Sequence, residues 1–197
     1  AAAAHGLAAR EADHLERLAS VDGVPALLGR PAPDIFLRRW IDGADLRQTP
    51  QVPDPVFPAL RALLARIHAR GVAYADLAKE ENVLVEDAGP GHPHTGRPWL
   101  VDFQISVAEG TWAAPLVPLL QRADRVHLAR HVKRRRPDQL DAADREALAR
   151  GKGWLSQLHR ALVKRPYNLV TRRLVRRWSG AGEGRRDDEP RGLRDVR

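Results

Sequence analysis

Cysteine and methionine are both absent from this chain of 197 residues. Without cysteine there is no disulfide framework, no thiolate nucleophile and no cysteine-ligated zinc. That absence fits a reducing compartment. Without methionine, the expectation is that Ala1 is a non-methionine start, a processed end or the edge of a fragment. No apolar run approaches the ~18 residues that a membrane span needs. The opening AAAAHGLAAREADHLERL is apolar only in small residues and then becomes charged, unlike a secretory leader. These absences predict a soluble, cytoplasmic protein.

What is present is an apolar fraction of 43%, enough for a packed core. Charge is unevenly spread. Residues 121–197 hold 22 Lys+Arg against 10 Asp+Glu, a net of +12, while the first 120 residues hold 11 against 15, a net of −4. The basic character belongs to the C-terminal part, which is suited to phosphates on nucleic acid or on an anionic membrane surface.

Leu7, Ala8, Ala12, Leu15 and Leu18 recur at helical spacing and predict a helix over 7–20, ending near Gly23. Val24–Leu28 and Asp34–Ile41 read as strands, the second stopping at Asp42-Gly43. Three prolines make 48–55 a loop. Leu60, Leu63, Leu64 and Ile67 share one face of a helix over 56–70 that stops at Gly71. Val83–Val85 and Trp99–Phe103 read as strands joined by a polar turn, a β-hairpin. Helical patterns follow over about 114–132, 141–163 and 167–178, and the Gly- and charge-rich 179–197 reads as a disordered basic tail.

The chemistry concentrates between these elements. After the helix over 56–70 come Asp76-Leu77-Ala78-Lys79-Glu80-Glu81-Asn82, then a strand, a turn, a strand and Val101-Asp102-Phe103. Phosphoryl transfer from a nucleotide needs one carboxylate to orient a hydroxyl and take its proton. It also needs a second carboxylate and an amide oxygen for Mg²⁺, and a cation beside the first carboxylate. Asp76, Asp102, Asn82 and Lys79 match those roles in that order.

At these residues the sequence resembles the protein-kinase superfamily, especially its divergent bacterial members such as lipopolysaccharide-core kinases and serine/threonine kinases. The catalytic-loop pattern H-R-D-L-x-x-x-N corresponds to Tyr74-Ala75-Asp76-Leu77 through Asn82, and D-F-G to Asp102-Phe103-Gln104. Upstream, Glu11 falls where the family's αC glutamate lies. Arg39-Trp40-Ile41 falls at the hinge that holds adenine, although Trp40 by itself reads as a core residue. The resemblance covers about residues 7–105. It implies an α+β, protein-kinase-like fold. Residues 1–43 would be the remnant of a small N-lobe, with αC helix, two strands and hinge. Residues 44–178 would be a reduced helical C-lobe. It further implies ATP and Mg²⁺ as cofactors and transfer to a hydroxyl acceptor, either Ser/Thr or a lipopolysaccharide-type sugar.

Several positions depart from the pattern. Tyr74 and Ala75 replace the His and Arg before the aspartate, and Gln104 replaces the glycine. Asp76 and Asn82 are six positions apart where the pattern has five. No A-P-E follows. The Gly-rich loop and strand lysine belong before Glu11, where only ten residues stand, so the expectation is an N-terminally truncated kinase or a pseudokinase that binds without catalysis. A nucleic-acid-binding protein using the basic part is the other rival, but it has no recognition helix or aromatic RNA platform and leaves Asp76 and Asp102 unexplained. Arg172, Arg173, Arg176 and Arg177 share a helical face suited to anionic lipid, which would place the protein peripherally on the inner face of a membrane. His92 and His94 lack a third metal ligand, and the glycines at 180, 182 and 184 follow no strand.

Overall fold

The alanine-rich start favours helix without any help from packing. In the computed structural model, which describes residues 2–87 and 94–151, α1 spans Ala2–Arg17. It begins and ends earlier than the expected 7–20. Leu18 to Val21 turn instead, with Val21 N–H donating to Leu18 O at 2.8 Å. Gly23 follows at φ 96°, where a side chain would collide with Leu63. Glu11, Ala12, His14 and Leu15 are the buried side of α1, and Leu18 is buried just past its end.

Strands β1 (Leu27–Ala32) and β2 (Ile35–Arg38) form an antiparallel hairpin with Leu27 opposite Arg38 and Ala32 opposite Ile35. The strand expected over 24–28 is therefore displaced to 27–32, and the one expected over 34–41 is shortened to 35–38. Pro25 has no N–H to contribute to a ladder, and Arg39 to Asp42 form an irregular link to β3 (Gly43–Asp45). Helix α2 (Val56–Ala69) buries Val56, Phe57, Leu60, Leu63, Leu64 and Ile67, the face read from its periodicity. Gly71, at φ 68°, ends it.

β4 (Val72–Ala73) follows at once. β5 (Val83–Asp87) and β6 (His94–Leu100) pair antiparallel, and β3 joins β5 on its other side, giving the order β3-β5-β6. The second hairpin strand was expected over 99–103 but stops at Leu100, because Asp102 takes φ 61°, a left-handed value no strand residue adopts. β7 (Val107–Ala108) pairs with β4. A 3₁₀ turn over Ala114–Leu116 leads into α3 (Val117–Arg135). α4 (Ala142–Arg150) opens with a capping box in which Asp141 accepts the Asp144 N–H at 2.7 Å.

One apolar core joins α1, α2, the β5–β6 hairpin and α3, with Leu15, Phe57, Ile67, Leu77, Leu100 and Phe103 all but inaccessible. Each such side chain stabilises by roughly 1.5–3 kcal/mol. The architecture is α+β, as expected. Among the described residues no helix is long and apolar enough to cross a membrane. The remainder of the helix expected to 163, the helix over 167–178 with its arginine face, the 179–197 tail and His92 lie outside the described residues.

Candidate active site

Tyr74, Asp76, Leu77, Glu80 and Asn82, between β4 and β5, are buried, so the polar groups among them need partners. Its anchor is Asp124 on α3, which has no exposed surface. One carboxylate oxygen accepts the Tyr74 N–H at 2.9 Å and the other accepts the Ala75 N–H at 2.8 Å. His68 Nε2 stands 3.0 Å from the first oxygen. This clamp holds Ala75 at φ 66°, an unfavourable value for a residue with a Cβ. Asp76 is thereby presented at the turn.

Asp76 is nearly buried, and its Oδ2 receives Lys79 Nζ at 2.7 Å and Asn82 Nδ2 at 2.9 Å. The hydrogen bond to Asp76 raises the Lys79 pKa against partial burial, with the charges of Asp102 and Glu81 adding to it. The six-position spacing is absorbed by a 3₁₀ turn, Glu80–Asn82, tucked against α3. Glu80 accepts Arg134 Nη1 at 3.0 Å, and His131 Nε2 lies 2.6 Å from Leu77 O. Burial lowers the His131 pKa.

Asp102 comes to the same place from β6. The Val101 N–H donates to Asn82 O at 3.1 Å, and the Tyr74 hydroxyl donates to Val101 O. Tyr74 is pushed well above the ordinary tyrosine range, chiefly by burial and then by the charges of Asp76, Asp102 and Asp124, so it stays a neutral donor. Its ring meets Phe103 edge-on at 5.0 Å. Tyr74 thus bridges the two segments from the position where the family pattern has histidine.

The structure brings Asp76, Lys79, Asn82 and Asp102 together. Glu11 reaches this group from α1. It is buried, which raises its pKa, while the Gln104 side chain, the Phe103 backbone and Arg38 nearby act in the opposite direction. Arg39, Trp40 and Ile41 lie apart, on the link between β2 and β3. Ile41 is buried, while Trp40 is 78% exposed with Nε1 on Asp42 at 3.0 Å. The core placement read for Trp40 is therefore corrected. The irregular link between β2 and β3 leaves its ring open to solvent.

Sequence reasoning passed over Asp124, His131 and Ser106. Asp124 had a legible signal, a carboxylate between Leu120 and Leu128 on an otherwise apolar helix stripe. Ser106, whose Oγ donates to Tyr74 O at 2.9 Å, had none.

Among the described residues no group of three or more acidic or histidine side chains forms a ready metal cage. The donor set nevertheless suits Mg²⁺ held partly by a nucleotide. Such a cation takes one or two protein carboxylates and fills its octahedron with water and phosphate oxygens. Asp102 offers a carboxylate, and Asn82, its nitrogen committed to Asp76, offers Oδ1.

No family model matches the chain, and no curated protein sequence does. Solved structures do. The chain is similar to the Rio2 kinase of Chaetomium thermophilum in its ADP/Mg²⁺-phosphoaspartate complex, with 22% identity, TM-score 0.58, 83% of this chain and 50% of that one covered. A second structure of Rio2 kinase from that organism gives 19% identity, TM-score 0.59, 84% of this chain and 56% of that one. The chain spans about half the length of these structures. Its described residues have a protein-kinase-like fold.

Proposed function

We propose that the protein is an ATP- and Mg²⁺-dependent phosphotransferase acting on a hydroxyl. The observation that carries this reading is the cluster of Asp76, Lys79 and Asn82 on a loop clamped by Asp124, with Asp102 held beside Asn82. Bound ATP–Mg²⁺ would supply the phosphoryl group and neutralise its oxygens. Asp76 orients the acceptor hydroxyl and takes its proton. Its Oδ2 is engaged by Lys79 and Asn82, so Oδ1 meets the acceptor. Lys79 offsets charge on the migrating group. Asn82 and Asp102 would hold the metal, and the link at Arg39, Trp40 and Ile41 would line the adenine. On this reading residues 1–43 end the smaller lobe and 44–178 make the larger.

The acceptor is a Ser/Thr side chain or a sugar hydroxyl of a lipopolysaccharide-type glycolipid. The missing A-P-E and the basic C-terminal part favour the sugar. That basic part also supports peripheral contact with an anionic membrane. The ADP and Mg²⁺ in one Rio2 structure support the choice of cofactors. A second reading, a binding module without turnover, is favoured by Glu11, which is engaged by Gln104 and the Phe103 backbone.

The test is a pair of substitutions in the full-length protein. Asp76→Asn keeps the metal ligands, so Mg²⁺–nucleotide affinity stays near normal while turnover falls ~10²–10⁴-fold. Asp102→Asn removes a ligand charge, so Mg²⁺-dependent nucleotide affinity falls together with turnover. A full-length protein that neither binds Mg²⁺–nucleotide nor consumes ATP with any hydroxyl acceptor would overturn the reading. Nucleotide binding without turnover in the unsubstituted protein selects the binding module.

A further inference from the structure

Arg10, His14 and Arg17 lie along one side of α1, at i, i+4 and i+7. That side faces the segment following Asp102-Phe103-Gln104. Between them is a cleft of about 430 Å³, walled by Arg10 and Arg17 on one side and by Thr111 and Trp112 on the other. Both arginines are exposed, yet neither head group is loose. Arg10 Nη2 donates to Ser106 O at 3.1 Å and Arg17 Nη1 donates to Glu109 O at 2.7 Å. Backbone anchoring orients each guanidinium and leaves its other N–H groups for an oxyanion.

Asp13 also lines the cleft, but the nearby carboxylates already have neighbours. Asp13 accepts Arg30 at 2.6 Å, and the Glu109 carboxylate packs against Gly71. His14 is buried with Nε2 at Ser106 O, and burial lowers its pKa, so the cleft's positive charge at neutral pH comes from the two arginines, while Asp13 is paired with Arg30. Trp112 is 93% exposed, so its indole lies uncovered beside them.

We propose that this cleft docks an anionic segment of a partner polypeptide, with acidic groups on Arg10 and Arg17 and an apolar or aromatic side chain on Trp112. Arginine and tryptophan are the side chains most enriched as interface anchors. Seven helical residues separate the arginines by roughly 10 Å of rise. That is too far for one phosphate and matches two anionic groups about three residues apart on an extended chain. Docking here bears on the active site, because Ser106 Oγ donates to Tyr74 O and Arg10 adjoins Glu11.

The probe is a fluorescently labelled glutamate–tyrosine copolymer, read by polarisation against the full chain. Nucleotide is omitted, so failure here is separate from failure of the phosphotransfer reading. Arg10→Gln and Arg17→Gln each weaken binding about tenfold, a charge-assisted hydrogen bond apiece. Trp112→Ala weakens it as well. A triple Arg122→Gln, Arg130→Gln, Lys133→Gln variant on the exposed face of α3 binds within about twofold of the parent if the cleft, and not net charge, is the site. No binding, or equal loss in the α3 variant, overturns the proposal. So does displacement by AMP that depends on Arg10 and Trp112, since the occupant is then a small phosphate ligand. Superposable far-UV circular dichroism confirms that each variant is folded.

Discussion

Asp124 shows how much one buried carboxylate organises. It accepts two backbone N–H groups from the loop that presents Asp76. An asparagine in its place offers one oxygen instead of two, and one buried N–H loses its acceptor. Asp124→Asn should therefore cost about 1–3 kcal/mol, read as a lower urea midpoint at unchanged m. Turnover should fall further than stability does, because Ala75 is then free to relax from its left-handed φ. Tyr74→Phe keeps the ring against Phe103 but deletes the donor to Val101 O. Its cost should be about 1 kcal/mol. A loss above that of Asp124→Asn would show that the hydroxyl, and not Asp124, is the main tie.

The link between the hairpin β1–β2 and the sheet β3-β5-β6 ends at Gly43. A Cβ there would stand 2.3 Å from Val85 O, an atom of a paired strand that cannot yield. Gly43→Ala should detach β3 from β5 at a cost of about 1–3 kcal/mol. Faster hydrogen exchange at β5 than at α2 would locate the damage, while uniform acceleration would contradict it. Elements of this size also mark where sequence reading ends. α2 announced itself through Leu60, Leu63, Leu64 and Ile67 on one face. β4 and β7, two residues each, have no period to read and exist because each pairs with the other.

Stability of the molecule should depend on pH with a definite sign. Burial lowers the pKa of His14 and His131 below the ordinary 6.5. As pH falls through 6.5 the unfolded chain takes up those protons before the folded one, so stability is lost from there down through the folded-state values. Glu11 works the other way. Burial raises its pKa above 4.5, so its unfavourable contribution near neutrality is relieved as pH falls through the raised value. Two histidines against one carboxyl predict a lower urea midpoint at about pH 6 than at about pH 7. His14→Gln and His131→Gln should flatten that slope. A midpoint that rises on acidification to about pH 6 would contradict the assignment.

The order Asp76, Lys79, Asn82, Asp102 and the α+β, kinase-like character of the fold were legible in the chain itself. Local patterns carry them: an amphipathic helix, a polar loop, and two short apolar runs around a turn. The exclusion of cysteine chemistry needed composition alone. Other matters depended on which distant groups meet, and no window of sequence contains that. Tyr74 joins the Asp76 and Asp102 segments only because β6 brings Val101 O to its hydroxyl. Asp124, forty-eight residues after Asp76, became part of the site only when α3 packed beneath the loop. The strand read as far as Phe103 ended at Leu100 because Asp102 turns left-handed, a backbone state that aspartate tolerates better than most residues but that no local pattern announces. The partners of Glu11 were likewise decided by packing, which buried it beside Gln104 and the Phe103 backbone.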